Sequence, residues 1–187
     1  MKIIILEGIA TSGKSSVKNE LVKILSSRGL DFLIIGEDET LMPILENTDK
    51  HTSLSLLQEV IGKVLNEKKD FIIFDRLFFT HIFRTHSVME DYRMIEKMLM
   101  DEALLVFLKI DEAIIPERIA NAQKHREKSW GEYVQKKGTT DEINQYYINQ
   151  QRTLLKLLEQ TQLPYKIYDT TNMEFDSIAE DVIKQCL

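Results

Sequence analysis

Short apolar runs rich in Ile, Val and Phe alternate along this chain with longer stretches in which apolar residues recur at helical spacing. The runs Lys2–Glu7, Asp31–Gly36, Phe71–Asp75, Ala103–Ile110 and Tyr165–Tyr168 predict strands. Their short, apolar character predicts burial on both faces, as in a parallel sheet. Between them, Val17, Leu21, Ile24 and Leu25 share one face of a first helix, and Leu56, Val60 and Val64 share one face of a second. Val88, Tyr92, Ile95 and Leu99 mark a third. Leu154, Leu155, Leu157 and Leu158 fall on a long helix near the C-terminus, and residues 178–183 on a last one. The alternation predicts an α/β fold with a mainly parallel five-stranded sheet and helices on both faces.

Composition narrows the partners. A length of 187 residues suits one domain over residues 1–187, and 43% hydrophobic against 29% charged residues suits a buried core. The net charge of -6 disfavours a nucleic-acid polymer or an anionic membrane as partner, so a bound phosphate must be met by local chemistry. The single cysteine, Cys186, excludes an intrachain disulfide and reads as a partly packed tail residue in a reducing compartment. Glu7 cuts the N-terminal apolar run too early for a signal peptide or a membrane span, and the expected location is the cytoplasm. His51, His81, His86 and His125 lack the helical pairing of a zinc site.

Two of only 7 glycines fall in Gly8-Ile9-Ala10-Thr11-Ser12-Gly13-Lys14-Ser15, which matches G-x-x-x-x-G-K-[ST] at every fixed position. The motif follows a predicted strand and precedes a predicted helix, the setting in which backbone N–H groups converge on phosphate oxygens. The loop from Gly8 through Ala10, Thr11, Ser12 and Gly13 to Ser16 is the candidate nucleotide cradle. Lys14 should reach the β- and γ-phosphates, and the Ser15 hydroxyl should meet Mg²⁺. Asp75, closing the third apolar run, stands where a second metal contact is expected, with Arg76 beside it for phosphate oxygens. The chain has no Asn/Thr-Lys-x-Asp segment of the GTPase kind.

Glu7-Gly8 leading into Gly13-Lys14-Ser15, with Asp75-Arg76 closing the third strand, resembles thymidylate kinase and its relatives, the deoxynucleoside kinases. Leu105 to Asp111 followed by Glu117-Arg118-Ile119 resembles their fourth strand and the start of their lid. Tyr165 to Asn172 resembles their final strand and the loop lying against the ATP adenine, which implies nucleotide contacts from Thr170 and Asn172. The resemblance implies a three-layer P-loop NTPase fold with a helical lid over about residues 118–140, ATP and Mg²⁺ as cofactors, and a small-molecule acceptor, nucleoside or nucleotide. It also implies that Arg76 meets the acceptor or the transferred phosphate and that arginines of the lid, Arg118 and Arg126 here, complete the catalytic set. Residues 118–137 carry six basic side chains against Glu127 and Glu132, which suits such a lid as well as a solvated helix. Relatives space lid arginines as Arg-x-x-x-Arg, whereas Ala122 stands four residues after Arg118, leaving Lys124 or Arg126 to substitute. Relatives often dimerise beside the acceptor site. That leaves a homodimer open, with Met89, Met94, Met98 and Met100 as its surface, although those residues read more simply as core.

The acceptor turns on Gly36-Glu37-Asp38-Glu39-Thr40. In thymidylate kinases this place resembles Arg-Glu-Pro, whose arginine holds an acceptor that already bears phosphate; Gly36 replaces it here. Three carboxylates repel a monophosphate and suit a neutral hydroxyl, for which Glu37 is the candidate general base. They equally suit the start of a helix. Phe78, Phe79, Phe83, Tyr92 and Trp130 are candidates to stack on a base, or core. A monophosphate kinase, a kinase for a non-nucleoside hydroxyl and an ATP-binding switch without transfer stay as alternatives.

Overall fold

The computed structural model describes residues 1–45 and 49–187. Five strands, β1 (Lys2–Glu7), β2 (Phe32–Ile35), β3 (Phe71–Asp75), β4 (Ala103–Lys109) and β5 (Tyr165–Asp169), form one sheet in the order β2-β3-β1-β4-β5. Every pairing is parallel, so the sheet is wholly rather than mainly parallel. Each strand matches an expected run to within a residue at either end. Gly36 leaves β2 because it caps the next helix instead.

Alternation along the strands divides the core into two layers. Ile4, Leu6, Phe71, Ile73, Val106 and Leu108 face α1 (Lys14–Ser27) and α9 (Phe175–Cys186). Ile3, Ile5, Ile72, Phe74, Leu105 and Phe107 face the other six long helices: α3 (Lys50–Val64), α4 (Phe78–Thr85), α5 (Arg93–Leu99), α6 (Ile115–His125), α7 (Lys128–Gln135) and α8 (Thr140–Leu158). A single turn, α2 (Glu37–Thr40), follows β2. Helices thus cover both faces, giving the three-layer α/β arrangement of a P-loop fold. No helix among the described residues is long and apolar enough to cross a membrane.

Several side chains sit differently from their expected places. The buried stripe of α3 is Ser53, Leu57, Ile61 and Val64, one residue on from Leu56 and Val60, because a polar Ser53 is drawn inward by hydrogen bonds to His81 Nδ1 (2.7 Å) and Tyr92 Oη (2.8 Å). Val88 is exposed, ahead of the helix it was expected to mark. β5 is an edge strand, and Tyr165 and Ile167 face outward instead of being buried. Met89 is core, whereas Met94 and Met100 are exposed. Cys186 is buried against α1 and the sheet, more packed than a tail residue.

One buried amide and one buried acid tie helices to the two ends of the strands. The Gln151 side chain of α8 accepts from Ile110 N–H (2.9 Å) and donates to Ile110 C=O (2.8 Å), closing the end of β4 as a neighbouring strand would. Glu96 of α5, fully buried, accepts from Arg93, the Gln162 N–H and the Thr161 hydroxyl, and so holds the turn that leads into β5.

Candidate active site

The register places β1 between β3 and β4, with Leu6 opposite Asp75. The loop after β1 therefore emerges at the carboxyl end of the sheet, flanked by the end of β3. Gly8 (φ 145°) and Gly13 (φ 89°) hold backbone angles that a side chain disfavours. A Cβ on Gly13 would also run into the Phe175 ring of α9, so any substitution there must displace that ring as well as strain the backbone. The loop turns back on its own lysine. Lys14, 6% exposed, donates to the carbonyls of Gly8 (3.1 Å) and Ile9 (2.8 Å). Burial, and then the nearby Arg76 charge, bring its pKa down to about 7 against the pull of Glu37, Asp75 and Glu7.

Arg76 is the hinge of the site. Its N–H continues the ladder to Leu6 C=O (3.0 Å), while its left-handed backbone (φ 69°) swings the chain out of β3. The guanidinium donates to Glu37 Oε1 through Nε (2.5 Å), and to Gly8 C=O (2.8 Å) and Thr80 Oγ1 (3.1 Å) through Nη1. Beneath it lies Glu7, fully buried, which accepts from the Leu77 and Phe79 N–H groups (3.0 and 3.1 Å) and the Thr80 hydroxyl (3.2 Å). Those are orphan donors of the first turn of α4, so Glu7 does from a strand end what a capping side chain does locally. Burial raises the Glu7 pKa, with Arg76 pulling the other way. Glu37 opens α2 and is lowered overall: burial pushes it up, but Arg76 and Lys14 outweigh that, so it is ionised at neutral pH.

Two cavities meet at this ion pair. A cleft of about 830 Å³ is lined by the loop residues Ala10, Thr11, Gly13, Lys14, Ser15 and Ser16, and by Asp75, Arg118 and Arg126. A second cavity of about 340 Å³ is walled by Trp130, Tyr133, Tyr146 and Tyr147, with Arg84 and Gln150. Ala10, Glu37, Arg76 and Trp130 line both. Asp75 and Ser15 face the larger one. Among the described residues the buried Oδ1 of Asp75 has no hydrogen-bond partner, while Oδ2 is held by Lys18 Nζ at 2.5 Å. An unspent carboxylate oxygen and a hydroxyl in one cleft are the hard oxygen donors that suit Mg²⁺.

The structure thus gathers Lys14, Glu37, Asp75, Arg76, Ser15 and Ser16 as expected. Other candidates are held differently from their expected places. Arg118, 8% exposed, does not stand free in the lid: it donates to the carbonyls of Thr170 (2.6 Å), Thr171 (3.1 Å) and Thr11 (3.3 Å), stapling the phosphate loop to the turn after β5. Thr170, fully buried, donates to the carbonyl of Ser12 or Lys109 (both 3.0 Å) and braces the loop from behind. Asn172 is exposed and does not line the cleft; Met173 and Phe175 of the same turn do. Gly8 and Ser12 also lie behind the cleft wall, Gly8 serving through its carbonyl and Ser12 fully buried. Of the two lid cations considered for the place of Ala122, Arg126 lines the cleft, its guanidinium 4.7 Å from the Trp130 ring, and Lys124 does not. Phe78, Phe79 and Tyr92 are core, and Phe83 packs edge-on against Tyr146. Glu7, Lys18, Tyr133, Tyr146, Tyr147 and Gln150 escaped the sequence reading, because each acts across more than fifty residues or on a helix with no motif of its own.

The staple predicts a measurable effect. Arg118→Met removes bonds to three carbonyls and is expected to cost about 1–3 kcal/mol in urea unfolding and to weaken nucleotide binding together with it. Unchanged stability would show that the loop holds its shape without Arg118.

The family model described as "Chromatin associated protein KTI12" matches residues 1–182. No curated protein sequence matches the chain. Among solved structures, the YorR protein of Bacillus subtilis, in complex with phosphorylated GDP, superposes with a TM-score of 0.68 at 19% identity, covering 98% of this chain and 95% of that one. Shikimate kinase from Bacteroides thetaiotaomicron superposes with a TM-score of 0.61 at 14% identity, covering 98% and 97%. At such identities the likeness is one of fold.

Proposed function

The chain belongs to the KTI12 family, and we propose that it is an ATP- and Mg²⁺-dependent kinase that moves the γ-phosphoryl group to the hydroxyl of a small acceptor, most simply a nucleoside. The observation that carries this reading is the wall shared by the two cavities: a donor cleft floored by the phosphate loop opens onto a second pocket across Glu37 and Arg76. The larger cleft takes the triphosphate, with Lys14 on the β- and γ-phosphates. YorR, solved with phosphorylated GDP, supports a nucleotide there. Ser15 and Asp75 would hold Mg²⁺, which when bound supplies charge neutralisation on the phosphates.

The smaller pocket suits a flat ring. Four aromatic side chains line it, and Gln150, 6% exposed, has no hydrogen-bond partner among the described residues. A primary amide lining the pocket matches the donor and acceptor edge of a nucleobase. The acceptor hydroxyl would face Glu37, whose Oε1 is taken by Arg76 and whose Oε2 carries no bond among the described residues. A carboxylate with a lowered pKa is a weak base, but in a loose phosphoryl-transfer transition state its main task is to orient the hydroxyl. Arg76 and Arg126 add positive charge as the γ-phosphoryl moves.

A second reading rests on Arg84. It donates to Tyr133 Oη (2.8 Å) and Leu45 C=O (3.1 Å) and has no carboxylate partner among the described residues, which favours an acceptor that carries a negative group, as a nucleoside monophosphate does. ADP release measured against a panel of nucleosides, monophosphates and unrelated alcohols separates the two. Stimulation by a nucleoside is the expected result. Tight binding of the monophosphate alone would remove Glu37 from the role of base. Release that no acceptor stimulates, with Lys14→Ala altering ATP binding only, would leave an ATP-binding switch. In the first case Glu37→Gln should lower kcat about 10²-fold while leaving the affinity for ATP near its original value, as single-turnover and binding measurements would show.

A further inference from the structure

Lys18 lies one helical turn beyond Lys14 on α1, so the two ammonium groups project from the same face of the helix into the donor cleft. They do different things. Lys14 bends back to the loop carbonyls, whereas Lys18 reaches the end of β3 and binds Asp75 Oδ2 at 2.5 Å. The pair is largely out of solvent, with side-chain exposures of 22% and 8%. Asp75 Oδ1 is buried and has no partner among the described residues. One oxygen of this carboxylate is therefore neutralised by the protein itself, and the other is left open.

Resting on the assignment of Asp75 as a metal-holding residue, we infer that Lys18 is a positioning residue that competes with the divalent cation for that carboxylate. A buried carboxylate without a counter-charge is costly, and Lys18 supplies one from the same fold element that carries the phosphate loop. An ammonium in contact with a carboxylate repels any other cation that approaches it. A free divalent ion then meets a carboxylate whose charge is already neutralised. A cation arriving with a nucleotide differs: its phosphates bring negative charge to the same cleft, and Lys18, when it lets go of Asp75, has phosphate oxygens to turn to. The ion pair thus sets the order of loading, with metal admitted together with nucleotide and excluded alone.

Mn²⁺ serves as the probe, with its free concentration followed by electron paramagnetic resonance and no nucleotide present. Lys18→Met, shown to be folded by circular dichroism, is expected to bind Mn²⁺ at least about tenfold more tightly than the parent protein. Lys18→Gln should show the same gain, and Lys18→Arg should behave as the parent. Adding Asp75→Asn to Lys18→Met should abolish the gain. Equal or weaker Mn²⁺ binding in the folded Lys18 variants overturns the inference, and so does a gain that survives Asp75→Asn. Because the readout needs no acceptor, a protein that shows the gain yet phosphorylates nothing keeps this role for Lys18 and loses the kinase reading instead.

Discussion

Replacing Lys14 by alanine is expected to lower ATP-dependent phosphoryl transfer by about 10³-fold, the scale seen when a preorganised charge on the transition state is removed. The ammonium is placed at the mouth of the loop by Gly8 and Gly13, whose backbone angles let the chain wrap around it, and two loop carbonyls hold it there. Phosphate oxygens compete well against neutral carbonyls for a cation, so the same side chain is available to the nucleotide. Its protonation gives a second readout. With a pKa of about 7, against 10.5 for an exposed lysine, the folded chain holds fewer protons at Lys14 than the unfolded chain does between those values. Lys14 therefore makes stability rise with pH across that window, and Lys14→Ala should flatten this rise. Phosphate binding restores the charge, so nucleotide binding at about pH 8 should take up a proton that the alanine variant does not. Calorimetry in buffers of different ionisation enthalpy measures that uptake. Wild-type turnover in the alanine variant, or binding without proton uptake in the parent, would remove Lys14 from the phosphate site.

Glu7→Ala is expected to produce the largest loss of stability, about 3–5 kcal/mol, as removing one partner from a buried charged network does. Few single domains can spare that much from a total of about 5–15 kcal/mol. Two N–H groups at the start of α4 and the Thr80 hydroxyl would lose their acceptor, and the Arg76 guanidinium would lose a neighbouring negative charge. Glu7→Gln keeps an oxygen for the N–H groups and should lose less, about 1–3 kcal/mol. Urea midpoints for the two variants test this, and equal, small losses in both would show that the start of α4 is held by packing alone. Since Arg76 is bonded to Glu37 and linked to Glu7 through the Thr80 hydroxyl, the alanine variant should also disturb Glu37, so its residual activity should fall further than its folded fraction.

What could be read from the chain and what could not divide along a physical line. The loop from Gly8 to Ser15 was legible because its motif is contiguous: every fixed position lies within eight residues. The strands were legible because parallel strands buried on both faces must be apolar throughout, and β5 misled for the converse reason, being an edge whose Tyr165 and Ile167 face out. Arg118 was legible as a basic residue beside the cleft but not in what it does. A guanidinium that binds backbone carbonyls leaves no trace in the residues it binds, since every residue has a carbonyl. The same holds for Thr170 on the Ser12 carbonyl and for Glu7 on the N–H groups of Leu77 and Phe79. The aromatic pocket was hidden differently. Tyr146 and Tyr147 sit in the same helical period as the core leucines of α8, and only the folded arrangement shows that this part of the stripe meets a cavity instead of the sheet.

The ion pair between Glu37 and Arg76 belongs to the lining of both cavities, and that has a thermodynamic consequence. A ligand in either cavity that draws on one member of the pair changes the charge the other member presents to its neighbour. Occupancy of the two cavities is therefore linked, and linkage is reciprocal: whatever factor the donor imposes on the dissociation constant of the acceptor, the acceptor imposes on that of the donor.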